Sequence, residues 1–244
     1  MNAIILGASA GLGRALSEAL AAKGHNLMLV AQDIRDLEAQ AASLRLKYGT
    51  HTAAVAADAA NPGQMLEALS AAAEHFEPVD GLFFPAGYAH DEDRGLLNAY
   101  EIRKILDINL VSVMAVVGAF LPTLLLASEA HIVGFGSIAA VRGRGANIVY
   151  AAAKRALASY FESLRHGYSD SRVRVQFYQL GYLATQQTFG RKLLLPCASP
   201  KRVAEHVVKN LGRDIGSEFM PGYWRLVAGL IRVLPWHIYK KLDF

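Results

Sequence analysis

Four polar residues have the types and spacing needed to move a proton to or from a carbonyl oxygen, and two of them form a pair. Tyr150 and Lys154 stand four positions apart in a helical pattern, so they share one helix face. A free tyrosine titrates near ~10, and a neighbouring cation favours its anion, so we expect Lys154 to lower the pKa of Tyr150. A core aromatic beside a solvated lysine would give the same spacing.

The other two residues, Ser137 and Asn109, stand where such a pair would need them. Ser137 follows the apolar run His131–Phe135. If that run is a strand of an open sheet, the hydroxyl lies at the edge where substrates bind and can hydrogen-bond a carbonyl oxygen. Asn109 lies in an apolar helical stretch, where an amide without partners costs ~1–3 kcal/mol. A turn serine and a structural asparagine are the alternatives.

A glycine-rich string directly follows the first apolar run of the chain. It reads Gly7-Ala8-Ser9-Ala10-Gly11-Leu12-Gly13 and leads into a helical pattern. Glycine permits a tight turn and leaves no Cβ between the backbone and a ligand. The start of the following helix offers free N–H groups and a positive dipole end to a pyrophosphate. The position between strand and helix favours a dinucleotide site over a plain turn.

Short apolar runs alternate with longer helical patterns, which predicts an α/β fold. Six strands are predicted at Ala3–Leu6, Asn26–Val30, Thr52–Ala56, Gly81–Phe84, His131–Phe135 and Val173–Tyr178. Helices are predicted at Leu12–Lys23, Ile34–Tyr48, Gly63–Phe76, Leu97–Leu126 (broken) and Asn147–Tyr168. This order implies parallel strands with helices on both faces, a doubly wound sheet of the Rossmann type. We expect one domain over 1–222 and a basic amphipathic tail over 223–244.

The glycine spacing and the order Asn109–Ser137–Tyr150–Lys154 together resemble the short-chain dehydrogenase/reductase family, in its compact single-domain branch, over roughly 1–185. The resemblance implies an NAD(P)(H)-dependent carbonyl reductase or alcohol dehydrogenase. It makes Tyr150 the general acid in reduction and the general base in oxidation. It implies that Lys154 binds the nicotinamide ribose, that Ser137 polarises the carbonyl and that Asn109 holds a water in the proton relay.

The resemblance also implies a cofactor site spread over the ends of five strands. Asp58 would face the adenine, although a helix-capping role fits equally, and Leu183 and Thr185 would contact the nicotinamide amide or a phosphate. Gly181 could equally serve only as a turn. The full set of predicted cofactor residues is Gly7, Ser9, Ala10, Gly11, Leu12, Gly13, Ala31, Gln32, Asp58, Ala59, Ala86, Gly87, Tyr150, Lys154, Gly181, Leu183 and Thr185.

Two short sequences depart from the family pattern. The family has Asn-Ala-Gly where this chain has Pro85-Ala86-Gly87, and Pro-Gly where it has Leu180-Gly181. Proline lacks both the amide side chain and the backbone N–H, so the turn must be anchored differently and Pro85 receives no role. Neither departure touches the four catalytic candidates.

The end of the second predicted strand indicates the cofactor. NAD users place an acidic residue there to bind the ribose 2′-hydroxyl, and this chain has Ala31, which leaves room for a 2′-phosphate. Gln32 follows where NADP users often have a basic residue. Asp33 would repel a phosphate if it pointed inward, and Arg14 and Arg35 could compensate. We expect NADP(H) in preference to NAD(H).

The C-terminal part of the chain points to an apolar substrate. The resemblance makes 186–200 a substrate lid, and its apolar residues suit a greasy substrate, although a core-facing helix would look the same. The tail 223–244 combines Trp224 and Trp236 with cations, and Pro235 ends its apolar stretch after only about a dozen residues, too few to span a bilayer. It fits an interfacial membrane segment, or a helix packed on the body or a second subunit. It is similar to tails of family members that reduce keto-sugars on polyprenyl-phosphate carriers, which suggests a lipid-linked or long-chain carbonyl substrate.

Composition and charge exclude other classes. With 53% hydrophobic and 19% charged residues in 244, the chain is not disordered. The net charge is +4, and the tail alone carries four cations against Asp243, so the body has no nucleic-acid footprint. The single Cys197 excludes an internal disulfide and a Cys-based zinc site. The apolar stretch Ile108–Ala127 reads as a buried helix rather than a membrane span.

These observations lead to expectations about compartment, assembly and function. We expect a cytoplasmic protein, with peripheral contact to the inner face of the membrane as an open alternative. Family habit implies a homodimer or homotetramer built on the helices at Leu97–Leu126 and Asn147–Tyr168. We predict no metal site. A cofactor-binding sensor or scaffold without turnover is the main functional alternative, and a nucleotide-sugar epimerase of the longer branch is a third.

Overall fold

The computed structural model describes residues 1–76, 78–190, 193 and 195–242. Its centre is a seven-stranded sheet in the order β3-β2-β1-β4-β5-β6-β7, with all neighbours parallel. This confirms the doubly wound α/β fold. The strands are β1 Asn2–Leu6, β2 Asn26–Ala31, β3 Thr52–Ala56, β4 Gly81–Phe84, β5 Ala130–Ser137, β6 Val173–Leu180 and β7 Ser217–Met220.

Helices cover both faces of the sheet and bury one apolar layer on each side. The layer under α3, α5 and α6 includes Phe84 and Phe161, and the layer under α1, α2 and α7 includes Leu16 and Tyr178. The helices are α1 Gly11–Ala21, α2 Ile34–Tyr48, α3 Pro62–Ala73, α4 Ala99–Leu106, α5 Ser112–Leu126, α6 Ile148–Gly167, α7 Pro200–Lys209, α8 Trp224–Val233 and α9 Trp236–Tyr239.

The long apolar helix is continuous, which corrects the prediction of a break. Helices α4 and α5 are joined by one π-helical turn, Asp107–Val111, so the chain widens locally without leaving the helix. The helix starts at Ala99 rather than Leu97, because Asn98 and Glu101 form a capping box. Among the described residues, 99–126 is long and apolar enough to cross a membrane, but its inner side is part of the core beneath the sheet.

Several other boundaries differ from the sequence prediction. Helix α1 ends at Ala21 rather than Lys23, and α3 ends at Ala73 rather than Phe76. Strands β5 and β6 run to Ser137 and Leu180, so the predicted catalytic serine is the last residue of its strand. Strand β7 and helix α7 were not predicted. Strand β7 has only four residues at the sheet edge, which is too short for a periodic pattern.

Candidate active site

The turns after β1 and β4 lie next to each other at the point where the strand order reverses, the place at which doubly wound folds bind ligands. Gly7 donates its N–H to the Val30 carbonyl oxygen at 2.8 Å, and Ala86 donates to the Leu6 carbonyl oxygen at 2.9 Å. A Cβ on Gly7 would lie 2.7 Å from the Ala86 backbone, and the Gly7 φ is +94°. Ala86 therefore anchors the turn in which Pro85 replaces the family's asparagine.

The glycine string forms a turn that leaves the first N–H groups of α1 open. A Cβ on Gly13 would lie 1.9 Å from the Gly7 carbonyl oxygen, so the string can close only with glycine there. Within the described part of the chain, Ala10 at the N-cap gives α1 no side-chain cap, and no acidic residue lies in the first turn. Such a helix start suits a pyrophosphate.

The remaining residues of the string surround this turn. Gly11 has a φ of +51°, and a Cβ on it would lie 3.2 Å from the Thr185 methyl carbon, so Thr185 faces the string from the segment after β6. Ser9 accepts a hydrogen bond from Arg14 Nε at its carbonyl oxygen, 3.0 Å away. The Leu12 side chain packs into the core, which leaves only its backbone at the turn.

The ends of β2 and β3 lie side by side at the same sheet edge. Ala57 donates to the Ala31 carbonyl oxygen at 2.9 Å. Asp33 accepts the Arg35 N–H at 3.0 Å as the N-cap of α2, and the Arg35 guanidinium holds the pKa of this carboxyl below its usual range. The Asp33 carboxylate is thus held by the Arg35 guanidinium and by the first N–H groups of α2. The exposed Gln32 lies between Ala31 and this cap.

Asp58 stabilises the turn that follows β3. Its Oδ1 accepts the Ala60 N–H at 2.8 Å, across Ala59. The N-cap of α3 is Asn61 instead. The structure therefore gives Asp58 a local turn role without assigning it to α3, and its contact with an adenine stays a prediction.

Helix α6 lies very close to β5, and this closeness brings the catalytic candidates together. A Cβ on Gly134 would lie 2.3 Å from the Phe161 ring, so only a glycine in the strand permits the contact. Lys154 is buried and donates from Nζ to the Phe135 carbonyl oxygen at 3.1 Å. Burial lowers the pKa of Lys154 to about 8.

Ser137 connects the end of β5 to Tyr150. Its Oγ accepts the Ala139 N–H at 3.2 Å, and its hydroxyl lies close enough to the Tyr150 phenol to act on the pKa of that group. Burial raises the pKa of Tyr150 and outweighs the opposite effects of Ser137 and the Arg144 guanidinium. Lys154 Nζ donates to the Phe135 carbonyl oxygen, and the expected lowering of the Tyr150 pKa by this ammonium stays a prediction.

Asn109 lies in the π-helical turn and is fully buried. Its Nδ2 donates to the carbonyl oxygens of Tyr88 at 2.6 Å and Ile105 at 2.9 Å, and its Oδ1 accepts the Tyr88 N–H at 3.2 Å. A Cβ on Gly87 would lie 3.4 Å from Asn109 Oδ1 and 3.6 Å from Lys154 Nζ. Asn109 therefore fixes the loop beside Lys154, and a water relay through it stays a prediction.

Asp93 positions the catalytic helix, and sequence reasoning missed it. It is buried at 1% exposure and accepts the N–H groups of Val149 at 3.0 Å and Tyr150 at 2.9 Å. Asn147, at the N-cap of α6, is left-handed, and within the described chain it gives the helix no side-chain cap. A carboxylate 56 residues upstream thus caps this helix. No local motif could have indicated it.

Replacing Asp93 by alanine is expected to lower the unfolding free energy by about 1–3 kcal/mol, because two buried N–H groups lose their acceptor. Turnover should fall as well, because Tyr150 is the residue held by the cap. Urea unfolding and activity measured on the same samples check this. Asp93→Asn, which keeps one oxygen, should recover part of both losses. Glu92→Ala, at an exposed neighbour, should change neither; equal losses there would contradict the capping role.

Replacing Lys154 by methionine is expected to stabilise the folded chain at pH 7 by about 1–3 kcal/mol. The folded lysine has a pKa of about 8 against about 10.4 when unfolded, so below pH 8 the fold holds a buried cation at a penalty. That penalty fades as pH rises from 8 to about 10. Urea unfolding at both ends of this range tests it, with the exposed Lys209→Met as control. A variant destabilised equally at both pH values would refute it.

The segment after β6 forms one wall of the site together with the tail. A Cβ on Gly181 would lie 1.7 Å from the Trp224 indole nitrogen, so this glycine makes room for the tail. The Tyr182 ring packs edge-on against Trp224 with centroids 5.3 Å apart. Leu183 pairs with Ala198 in an isolated parallel bridge. Contact of Gly181 or Leu183 with a cofactor stays a prediction. The predicted lid 186–200 lies partly outside the described residues.

Comparisons with known proteins agree with this geometry. The family model for short chain dehydrogenases matches residues 1–192. An uncharacterized oxidoreductase of Myxococcus xanthus is 30% identical over 241 residues, which is 96% of this chain and 92% of that protein. A short chain dehydrogenase from Burkholderia cenocepacia in complex with NADP is 25% identical, with a TM-score of 0.81 over 91% of this chain and 96% of that one. A 3-oxoacyl-[acyl-carrier protein] reductase with bound NAD from Brucella melitensis is 21% identical, with a TM-score of 0.75 over 86% and 83%.

Proposed function

The chain belongs to the short-chain dehydrogenase family of oxidoreductases, and from this premise we propose that it is an NADP(H)-dependent reductase of an apolar or lipid-linked ketone. The observation that carries the proposal is the meeting of Ser137, Tyr150 and Lys154 at the carboxyl end of β5. There a hydroxyl, a phenol and a buried ammonium lie close together. The glycine turn occupies the same edge of the sheet.

The glycine turn and the residues around Lys154 fit a dinucleotide. Gly7, Gly11 and Gly13 leave a backbone cradle at the start of α1 that suits a pyrophosphate. Thr185 and Lys154 would hold the nicotinamide half, one across from Gly11 and the other beside Gly87. When bound, the nicotinamide supplies the hydride that reduces the carbonyl carbon.

The side chains of this chain handle the proton. Ser137 donates a hydrogen bond to the carbonyl oxygen and so stabilises the negative charge that develops there. Tyr150 gives its proton to that oxygen, and its raised pKa keeps the phenol protonated at neutral pH, as a general acid requires. Lys154, positively charged below pH 8, offsets the charge left on the phenol.

The preference for NADP(H) rests on the end of β2. Ala31 offers no carboxylate to a ribose 2′-hydroxyl, and Asp33 is held by Arg35 and the start of α2. The Arg35 guanidinium partly neutralises the Asp33 carboxylate, and this weakens the repulsion between Asp33 and a 2′-phosphate. The solved relatives include complexes with either cofactor, so Ala31 carries this choice.

The apolar substrate class rests on apolar side chains in the segments that follow Ser137 and Thr185. A small cavity beside the Ser137 loop is lined by Ile138, Tyr182, Trp224 and Ile231 together with two arginines. Phe189, in the segment after Thr185, is 90% exposed and available to a greasy substrate. A bare sugar would gain little from these surfaces.

A cofactor-binding sensor without turnover is the competing function, and two measurements separate it from a reductase. Fluorescence titration should show tighter binding of NADPH than of NADH. A panel of ketones and aldehydes, weighted toward long-chain and lipid-linked compounds, should then show NADPH oxidation. Tight NADPH binding without turnover of any compound would favour the sensor, and no binding of either cofactor would contradict both functions.

A further inference from the structure

The two tail helices α8 and α9 turn an apolar face outward. Leu226, Leu230 and Val233 stand at i, i+4 and i+7 on α8, with 78%, 61% and 76% of each residue exposed. Trp236 and Ile238 in α9, and Leu242 shortly after it, are exposed apolar residues as well. We call these six residues the apolar ridge. A helix packed on a soluble body normally turns polar residues to water, so this orientation is the reverse of the usual one.

The ridge does not result from a loose chain end, because the opposite side of the tail is packed. Trp224 and Ala228 are buried on the inner face of α8. Arg142 donates from its guanidinium to the Ile231 carbonyl oxygen at 2.8 Å, and the same guanidinium lies 4.0 Å from the Tyr239 ring centroid. Tyr239 is also buried, and its hydroxyl donates to the Gly143 carbonyl oxygen at 2.8 Å. These contacts hold the ridge in one fixed orientation.

Cations border the ridge and give it a charge. Arg225 and Arg232 lie seven positions apart on the exposed side of α8, and Lys240 and Lys241 follow α9. By sequence, Asp243 is the only acidic residue in 223–244. Exposed leucines and a tryptophan bordered by lysines and arginines are the composition of a segment that lies in a membrane interface.

We propose that the apolar ridge docks this protein on the surface of an anionic lipid bilayer. Helix α8 has ten residues, about 15 Å in length, so it lies along the interface and does not span the membrane. The cations would contact lipid phosphates while the leucines and Trp236 enter the acyl boundary.

The anchoring contacts place the docked membrane next to the active site. Arg142 and Gly143, which hold the tail, belong to the loop between Ser137 and Tyr150. Tyr223 at the start of the tail donates to the Pro196 carbonyl oxygen at 3.1 Å, on the segment after Thr185. A bilayer against the ridge would therefore border the entrance to the site. This orientation suits the proposed lipid-linked substrate, although docking itself does not depend on the proposed function.

Vesicle flotation with the full-length protein tests the proposal. The protein should float with phosphatidylcholine–phosphatidylglycerol vesicles, less with phosphatidylcholine alone, and less again at high salt. The Leu226→Glu, Leu230→Glu double variant should lower partitioning about tenfold or more. Lys240→Gln with Lys241→Gln should weaken binding to the anionic vesicles about fivefold per charge.

The matched control is Leu46→Glu with Leu126→Glu, two leucines outside the tail that are 92% and 88% exposed. It should float like the unchanged protein. Failure of the unchanged protein to float, or equal loss in ridge and control variants, would overturn the proposal. So would light scattering that shows the ridge variant dissociating a dimer, because the ridge would then face a second copy. NADPH titration of each variant verifies that it is folded. If the unchanged protein itself did not bind NADPH, that result would count against the proposed function and not against membrane docking.

Discussion

Tyr150→Phe is expected to lower kcat for ketone reduction by about 10²–10⁴-fold, because the phenol beside Ser137 is the proposed proton donor to the carbonyl oxygen. The ring and its packing are retained, so the loss reports the hydroxyl alone. NADPH affinity should change much less than kcat, because the glycine turn and Lys154, which would hold most of the cofactor, are left intact. Steady-state kinetics with a ketone found in the substrate panel, combined with NADPH titration, gives both values.

Tyr160→Phe is the matched control for this prediction, since it removes a phenol from the same helix α6 away from Ser137. It should leave kcat within about twofold of the unchanged protein, as surface and peripheral substitutions usually do. A loss of less than about tenfold in Tyr150→Phe would show that another group donates the proton.

Ala31→Asp is expected to weaken NADPH binding about a hundredfold, because a carboxylate at the end of β2 would face the 2′-phosphate and like charges at close range cost several kcal/mol. NADH binding should be unchanged or tighter, because the same carboxylate can accept hydrogen bonds from the ribose hydroxyls. Fluorescence titration with both cofactors measures the two affinities side by side.

The control for this substitution is Ala39→Asp, which adds the same charge on the exposed surface of α2. It should alter NADPH affinity by less than about threefold, because an exposed charge is screened. If Ala31→Asp left the preference for NADPH intact, the 2′-phosphate would not lie at the end of β2, and the choice of NADP(H) would lose its basis.

The positions of six strands could be predicted because buried parallel strands are short apolar runs, and β1, β3 and β4 match their predicted starts or ends closely. Strand β7 could not be predicted, because its sequence Ser-Glu-Phe-Met lies at the sheet edge and contains no run of buried apolar residues. The π-helical turn around Asn109 also escaped prediction. The sequence is helical on either side of this turn, but the wider turn shifts the apolar pattern between the two halves. In the sequence this shift looks like a break in the helix.

The spacing of Tyr150 and Lys154 predicted a shared helix face, but not what each side chain contacts. Lys154 donates to the Phe135 carbonyl oxygen, a backbone atom that only the closeness of α6 to β5 makes available. Asp93 caps α6 from a distant loop, and Gly181 is required by the Trp224 ring. Such contacts join segments far apart in the chain, and residue patterns carry information only about neighbours.

Transfer of deuterium from NADPH labelled at nicotinamide C4 tests the central claim most directly. Each face-specific label is incubated with the carbonyl panel, and mass spectrometry detects deuterium on the carbinol carbon of any alcohol formed. We predict that one of the two labels gives a deuterated alcohol with the unchanged protein and that Tyr150→Phe forms almost none. Bound NADPH with no deuterated product from any carbonyl, or equal product with Tyr150→Phe, would contradict the reductase assignment.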